Sequence, residues 1–134
     1  MYVGGGWGDA IYIFNDENTR IYGFKDPWRR RVVEGSVLFN LADNRYNDTI
    51  PLYYVSNVEY KDDPKDMFFA DIELIGNVEN PKTEDYEPNW YKPYIDKVEK
   101  ELVEKRDKTN FFNFGERVKL KKFIETLNEM KESR

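Results

Sequence analysis

The sequence predicts an α+β domain, and three observations carry the prediction. Runs rich in β-branched and aromatic residues crowd positions 10–75. Apolar residues at helical spacing follow over positions 94–130. Strands followed by helices, rather than alternating with them, argue for α+β. The third observation is length. A chain of 134 residues buries about two-thirds of its unfolded surface. One domain over 1–134 is therefore expected, with 1–9 as a glycine-rich lead-in.

The elements follow in order. Gly4-Gly5-Gly6-Trp7-Gly8 has no Gly-Lys-Ser/Thr after it, so it is a turn-forming start and not a phosphate loop. Ala10–Phe14 is a first strand, closed by the turn formers Asn15, Asp16, Glu17 and Asn18. Ile21–Phe24 is a short extended piece, and Asp26–Arg31 a loop. Glu34-Gly35 turns the chain into a second strand, Ser36–Leu41, and Ala42–Thr49 is a polar connection. Leu52–Tyr60 is a third strand, with Tyr53, Val55 and Asn57 facing away from Leu52, Tyr54 and Val58. An acidic turn leads to a fourth strand, Met67–Ile75, with Asp71 and Glu73 outward and Ile72 and Leu74 inward. Pro81, Pro88 and Pro93 predict a loop over Gly76–Pro93. Tyr94–Lys105 suits a helix with Val98 and Leu102 on one face. Thr109–Gly115 is an aromatic loop. Leu120–Met130 is a final helix with Leu120, Phe123, Ile124, Leu127 and Met130 inward.

Composition excludes several chemistries. The chain has no Cys and no His. It therefore has no thiolate site, no Ser/His or Cys/His pair, and none of the commonest ligands of transition metals. Carboxylates remain, at Asp62, Asp63, Asp66, Asp71 and Glu73, and hard cations such as Mg²⁺ take carboxylate oxygens. Their spacing fits no nuclease motif, and a solvated strand face accounts for Asp71 and Glu73 equally well. No enzymatic activity, metal or cofactor is expected. No apolar run of about 20 residues is present to span a membrane, and no basic segment with an apolar core opens the chain as a signal peptide. A cytoplasmic protein is expected. The sequon Asn47-Asp48-Thr49 is then simply a loop. Abundant Lys and Glu lean towards a thermophile.

The net charge of −5 is segregated. Residues 20–31 carry five cations and one anion, and residues 105–122 seven cations and two anions. Residues 59–87 carry ten anions and three cations. The distribution, more than the sum, decides whether a polyanion can bind. Aromatics reach 16%. Most belong in a β core, while flat rings also stack on planar ligands.

One series of residues resembles a known family. It runs Ile13-Phe14-Asn15-Asp16, Ile21-Tyr22-Gly23-Phe24, the Trp28–Arg31 loop, and Glu34-Gly35-Ser36-Val37-Leu38-Phe39. It continues with Tyr54–Val58, Asp62-Asp63-Pro64, Phe69–Leu74, Asn80–Thr83 and Asn113-Phe114-Gly115. Together, over about Ala10 to Met130, the order resembles the EVE and YTH domains of the PUA-like superfamily, which read modified nucleobases. The segment between Asn15 and Tyr22 is shorter than in that family by about two helical turns. The glycine-rich start has no counterpart there, and Tyr22 stands where the family favours Trp.

The resemblance implies a small twisted, barrel-like sheet with flanking C-terminal helices. It implies a nucleic acid as partner, DNA ahead of RNA, carrying a modified base, most simply a methylated one. That base would be flipped into an aromatic pocket. Tyr22 becomes a cage wall with Gly23 offering a close N–H, Asn15 and Asp16 read the base edge, and the region around Phe68, or else Trp28 or Trp7, supplies the second wall. Lys25, Arg29, Arg30 and Arg31 would hold phosphates, joined by Lys108 and Arg117. A motor or nuclease subunit outside this chain is a further partner the resemblance allows. A different class of role remains open, an acidic protein-interaction module, as in a viral protein, whose 59–87 surface meets a basic partner.

Overall fold

A computed structural model describes residues 3–4, 11–24, 32–61, 67–82, 90–109 and 113–132. Its strands are β1 (Val3–Gly4), β2 (Ile11–Phe14), β3 (Arg20–Phe24), β4 (Val37–Phe39), β5 (Thr49–Lys61) and β6 (Met67–Glu79). Its helices are α1 (Leu41–Asn44), α2 (Lys92–Lys108) and α3 (Phe114–Glu132). The α+β class is as expected. The strands form one sheet in the order β1-β4-β5-β6-β3-β2. All neighbours are antiparallel except β1, which runs parallel to β4.

The long ribbon β5–β6 is the centre of the sheet, and it is apolar on both faces. Leu52 and Tyr54 join Val37 and Phe39 of β4, and Ile75 and Val78 of β6, under the helices. There they meet Ile95, Val98 and Leu102 of α2 and Leu120, Phe123, Ile124, Leu127 and Met130 of α3. The five inward residues expected of the last helix are all buried. Tyr54 packs on Phe123 at 5.1 Å, and Phe39 stacks on Tyr91 at 5.2 Å. The opposite face carries a second cluster of Ile21, Val32, Leu38, Tyr53, Val55, Phe68, Ala70 and Ile72. Burial on both faces explains the unbroken apolar run Leu52–Val55, which a one-sided strand would interrupt with polar residues. Tyr53 lies at the centre of this second cluster, and burial raises its phenol above the usual tyrosine range, with Asp43 adding to the effect.

Two bulges reset the strand faces, and one of them corrects an expected face. Ser56 pairs with Asp71 and Glu59 with Phe69, so β5 carries one extra residue between them. Asn57 takes a left-handed φ of 50° there, a conformation Asn tolerates better than most residues. The inserted residue moves Val58 from the Leu52 face to the Tyr53 face, where it packs against the second cluster. On β6 the pairing steps from Tyr53–Leu74 to Leu52–Gly76. That turns Val78 to the helix side beside Ile75, while Leu74 keeps the face it was expected to share with Ile72 and is exposed there rather than buried.

Several boundaries also differ. β6 runs on to Glu79, through the glycine that predicts a loop. Gly76 is there because α2 crosses it closely: an added Cβ would lie 2.5 Å from Val98 Cγ1. α2 starts at Lys92 with Pro93 in its first turn, where a missing N–H costs nothing. Phe114 and Gly115, expected in a loop, open α3. The polar connection contains α1, whose cap Asn40 accepts from the Asp43 N–H at 3.3 Å. Lys131 of α3 reaches back to Asp96, at 3.0 Å, and to Glu99 of α2.

Replacing Gly76 with Ala is expected to lower stability by about 1–3 kcal/mol through overpacking, read as a lower denaturation midpoint in urea. Adding Val98→Ala is expected to recover part of that loss relative to Val98→Ala alone. An additive double mutant would contradict the close crossing.

Candidate functional site

The helices cover β4, β5 and the far half of β6, and among the described residues the helix-side core contains none from β2 or β3. Among the described residues, the helices therefore leave the near half of that sheet face open. Three strands lay one row across it: Ile13 pairs with Tyr22, and Tyr22 with Phe69. Paired residues share a face. Ile13 is 71% exposed and Tyr22 40%. The rings of Tyr22 and Phe69 lie 6.4 Å apart at 47°, within the range of favourable aromatic pairs.

The next row is ionic. Arg20 Nε donates to Asp71 Oδ1 at 3.1 Å, and Asn57 Nδ2 to Asp71 Oδ2 at 3.2 Å. The Arg20 guanidinium carbon lies 5.3 Å from the Phe69 ring centroid, a cation–π distance. The Asp71 bond raises the arginine's pKa further, with the Tyr22 phenol adding to it. Lys119 on α3 binds Glu73 at 2.9 Å, and that bond raises the lysine. Asp71 and Glu73 thus each hold a cation of the chain. The open half presents an aromatic and aliphatic strip bordered by ion pairs.

The structure separates the residues expected to form a pocket. Asn15 closes the β2–β3 turn. Its Oδ1 accepts from the N–H groups of Thr19 at 2.8 Å and Arg20 at 3.0 Å, and its Nδ2 donates to Thr19 Oγ1 at 2.9 Å. That side chain serves the hairpin and not a ligand. Asp16 is exposed in the same turn. Gly23 is paired on both sides, with Tyr12 and with Phe68, which sets its N–H within the sheet. Phe68 is 1% exposed and packs on Tyr60 at 5.4 Å, in the cluster on the other face. Phe69, its neighbour, is the residue beside Tyr22. Strand alternation carries that signal, since Phe69 has the parity of Asp71 and Glu73. Ile13 and Arg20 follow from the same pairing once β2 and β3 are joined as a hairpin.

Trp28, Lys25, Arg29, Arg30 and Arg31 lie outside the described residues. Lys108 and Arg117 make no ion pair among the described residues. Arg117 stands two positions before Lys119, which is about 200° around a helix. Lys119 meets the open half of the sheet, so Arg117 points away from it.

No protein-family model matches the chain, and neither a curated protein nor a solved structure matches it.

Asn15→Ala is expected to lower stability by about 1 kcal/mol, because two backbone donors lose their acceptor. Asp16→Ala is expected to stay within about 0.5 kcal/mol, as surface changes do. Equal effects in urea denaturation would contradict the assignment of Asn15 to the turn.

Proposed function

We propose that the chain is a nucleic-acid-binding module in which Tyr22 stacks on an unpaired base. The carrying observation is a half-exposed tyrosine held between an exposed isoleucine and a second ring on an open sheet face. Stacking on such a ring contributes about 1–3 kcal/mol per base and tolerates any base. Phosphate contacts come from Lys25, Arg29, Arg30 and Arg31, which begin three residues after Tyr22 in the sequence. Such contacts make affinity salt-dependent without choosing a sequence. The reading extends to a modified base, with DNA ahead of RNA. A methyl group laid against Ile13 or Phe69 adds on the order of 1 kcal/mol. Support for that finer step is the series of residues in the sequence that resembles EVE and YTH domains.

A second reading is a protein-interaction face. Arg20 and Lys119 are matched by Asp71 and Glu73, and Glu59 pairs with Phe69 in the aromatic row. The described part of the open half therefore holds no surplus of positive charge.

Fluorescence anisotropy tests the proposal, using labelled duplexes that are unmodified, 5-methylcytosine-modified or N6-methyladenine-modified, and one N6-methyladenine single-stranded RNA. A modified probe is expected to bind best, and Tyr22→Ala to weaken it about tenfold, the equivalent of about 1.4 kcal/mol. Equal binding of every probe would remove base reading. Absence of binding would remove nucleic acid altogether and favour the protein-interaction face.

A further inference from the structure

The end of the helix pair where α2 closes and α3 opens carries an exposed apolar ridge. Lys105 of α2 binds Glu116 of α3 at 3.8 Å, so the last turn of α2 lies beside the first turn of α3. Phe114 and Val118 stand there one turn apart, 62% and 65% exposed. At about 100° per residue, their shared line lies half a turn round α3 from Leu120, Phe123 and Leu127, which are buried in the helix-side core. The two side chains therefore project from the convex outside of the helix.

The ridge is bordered by cations. Residues 105–122 contain two anions, Asp107 and Glu116. Arg106 holds the first at 3.5 Å and Lys105 the second. Lys119 is taken by Glu73 and Lys122 by Glu34. Lys108, Arg117 and Lys121 remain, and none of the three makes an ion pair among the described residues. Lys108 closes α2. Arg117 lies about 60° round α3 from Phe114, and Lys121 about 60° from Val118. Three uncompensated cations thus surround two exposed apolar side chains.

Charge and shape choose the occupant. A second copy, laid ridge to ridge, would set Arg117 and Lys121 against their own kind, and like charges facing each other oppose association. A peptide helix lays its apolar face into a groove, and a convex ridge offers none. A lipid surface needs no groove. Interfacial helices turn Phe and other apolar groups into the headgroup boundary and keep Lys and Arg at its rim. The long stems of those cations let the charge stay at headgroup level while the apolar groups go deeper. An anionic leaflet supplies the opposite charge.

We propose that this end of the α2–α3 pair binds the surface of an anionic phospholipid membrane. Phe114 and Val118 enter the headgroup layer, and Lys108, Arg117 and Lys121 pair with the anionic headgroups. The chain lies on the membrane at this end, and among the described residues no helix is long and apolar enough to cross it. The ridge is turned away from the open half of the sheet, which Lys119 meets. This binding is therefore independent of the nucleic-acid reading.

Co-sedimentation of the full chain with lipid vesicles tests this. Binding is expected on phosphatidylcholine vesicles that contain phosphatidylserine, is expected to be weak on phosphatidylcholine alone, and falls as salt rises. Each cation near an anionic leaflet strengthens binding about fivefold. Lys121→Glu alone is therefore expected to weaken binding about fivefold, and Arg117→Glu with Lys121→Glu about tenfold or more. The matched control, Lys97→Glu with Lys100→Glu, reverses two exposed cations nearer the start of α2 and is expected to change binding less than about twofold. Phe114→Ser with Val118→Ser is expected to weaken it about fivefold or more. Circular dichroism checks that each variant folds. A chain that leaves the phosphatidylserine vesicles unbound would overturn the proposal. So would binding that the Arg117, Lys121 variant keeps, or that the Lys97, Lys100 control loses equally. Binding indifferent to the loss of both apolar side chains would make the partner a soluble polyanion and overturn it as well.

Discussion

The structure depends on one constraint: the β5–β6 ribbon is buried on both faces. Thirteen residues on each strand run antiparallel, and the cores above and below both draw on them. Any one-residue slip would turn each apolar set to the wrong side. Register is therefore fixed by burial, and the two bulges are the places where the pattern of apolar residues and the pattern of pairing are reconciled. The Asn57 bulge lets Val58 join the second cluster. The Ile75 bulge brings β6 back under α2, where Gly76 gives the helix room. The helices then cover only the part of the sheet that Ile75 and Val78 offer them, and β2 and β3 extend beyond their reach.

That geometry decides what can be displayed. Because β3 lies beyond the helices, Tyr22 stays half-exposed while its neighbour Ile21 is fully buried. The same alternation divides Phe68 from Phe69, one in the core and one on the surface. The ionic row of Arg20, Asp71 and Asn57 ties β3, β6 and the β5 bulge together beneath the aromatic strip. Its charges are matched, so affinity for phosphate depends on cations elsewhere in the chain. The exposed tyrosine and the matched charges are the two facts between which the functional readings divide.

Much of the fold was legible in the sequence. Apolar spacing located all six of its main elements: β2, β4, β5, β6, α2 and α3. It also gave the inward face of α3 residue by residue. Positions that hinge on tertiary contact were not legible. Gly76 reads as a loop former until α2 is laid across it. Pro93 reads as a breaker until it falls in a helix's first turn. A bulge leaves no mark on alternation, so Val58 was assigned to the wrong face, whereas Leu74 shares the Ile72 face as expected but is exposed there. At the site, Tyr22 is displayed as expected of a stacking residue, but Asn15 is engaged by its own turn and Phe68 by the core. Phe69 could have been read from the parity it shares with Asp71 and Glu73.

The central claim is that the open half of the sheet is the surface that meets a ligand. A titration of amide NMR signals with a short single-stranded oligonucleotide tests it most directly, because it reports location as well as affinity. The account predicts shifts concentrated at Ile13, Arg20, Tyr22 and Phe69, with Phe68 and the α2–α3 interface unchanged. Shifts confined to the outer face of α3 around Arg117 would contradict it.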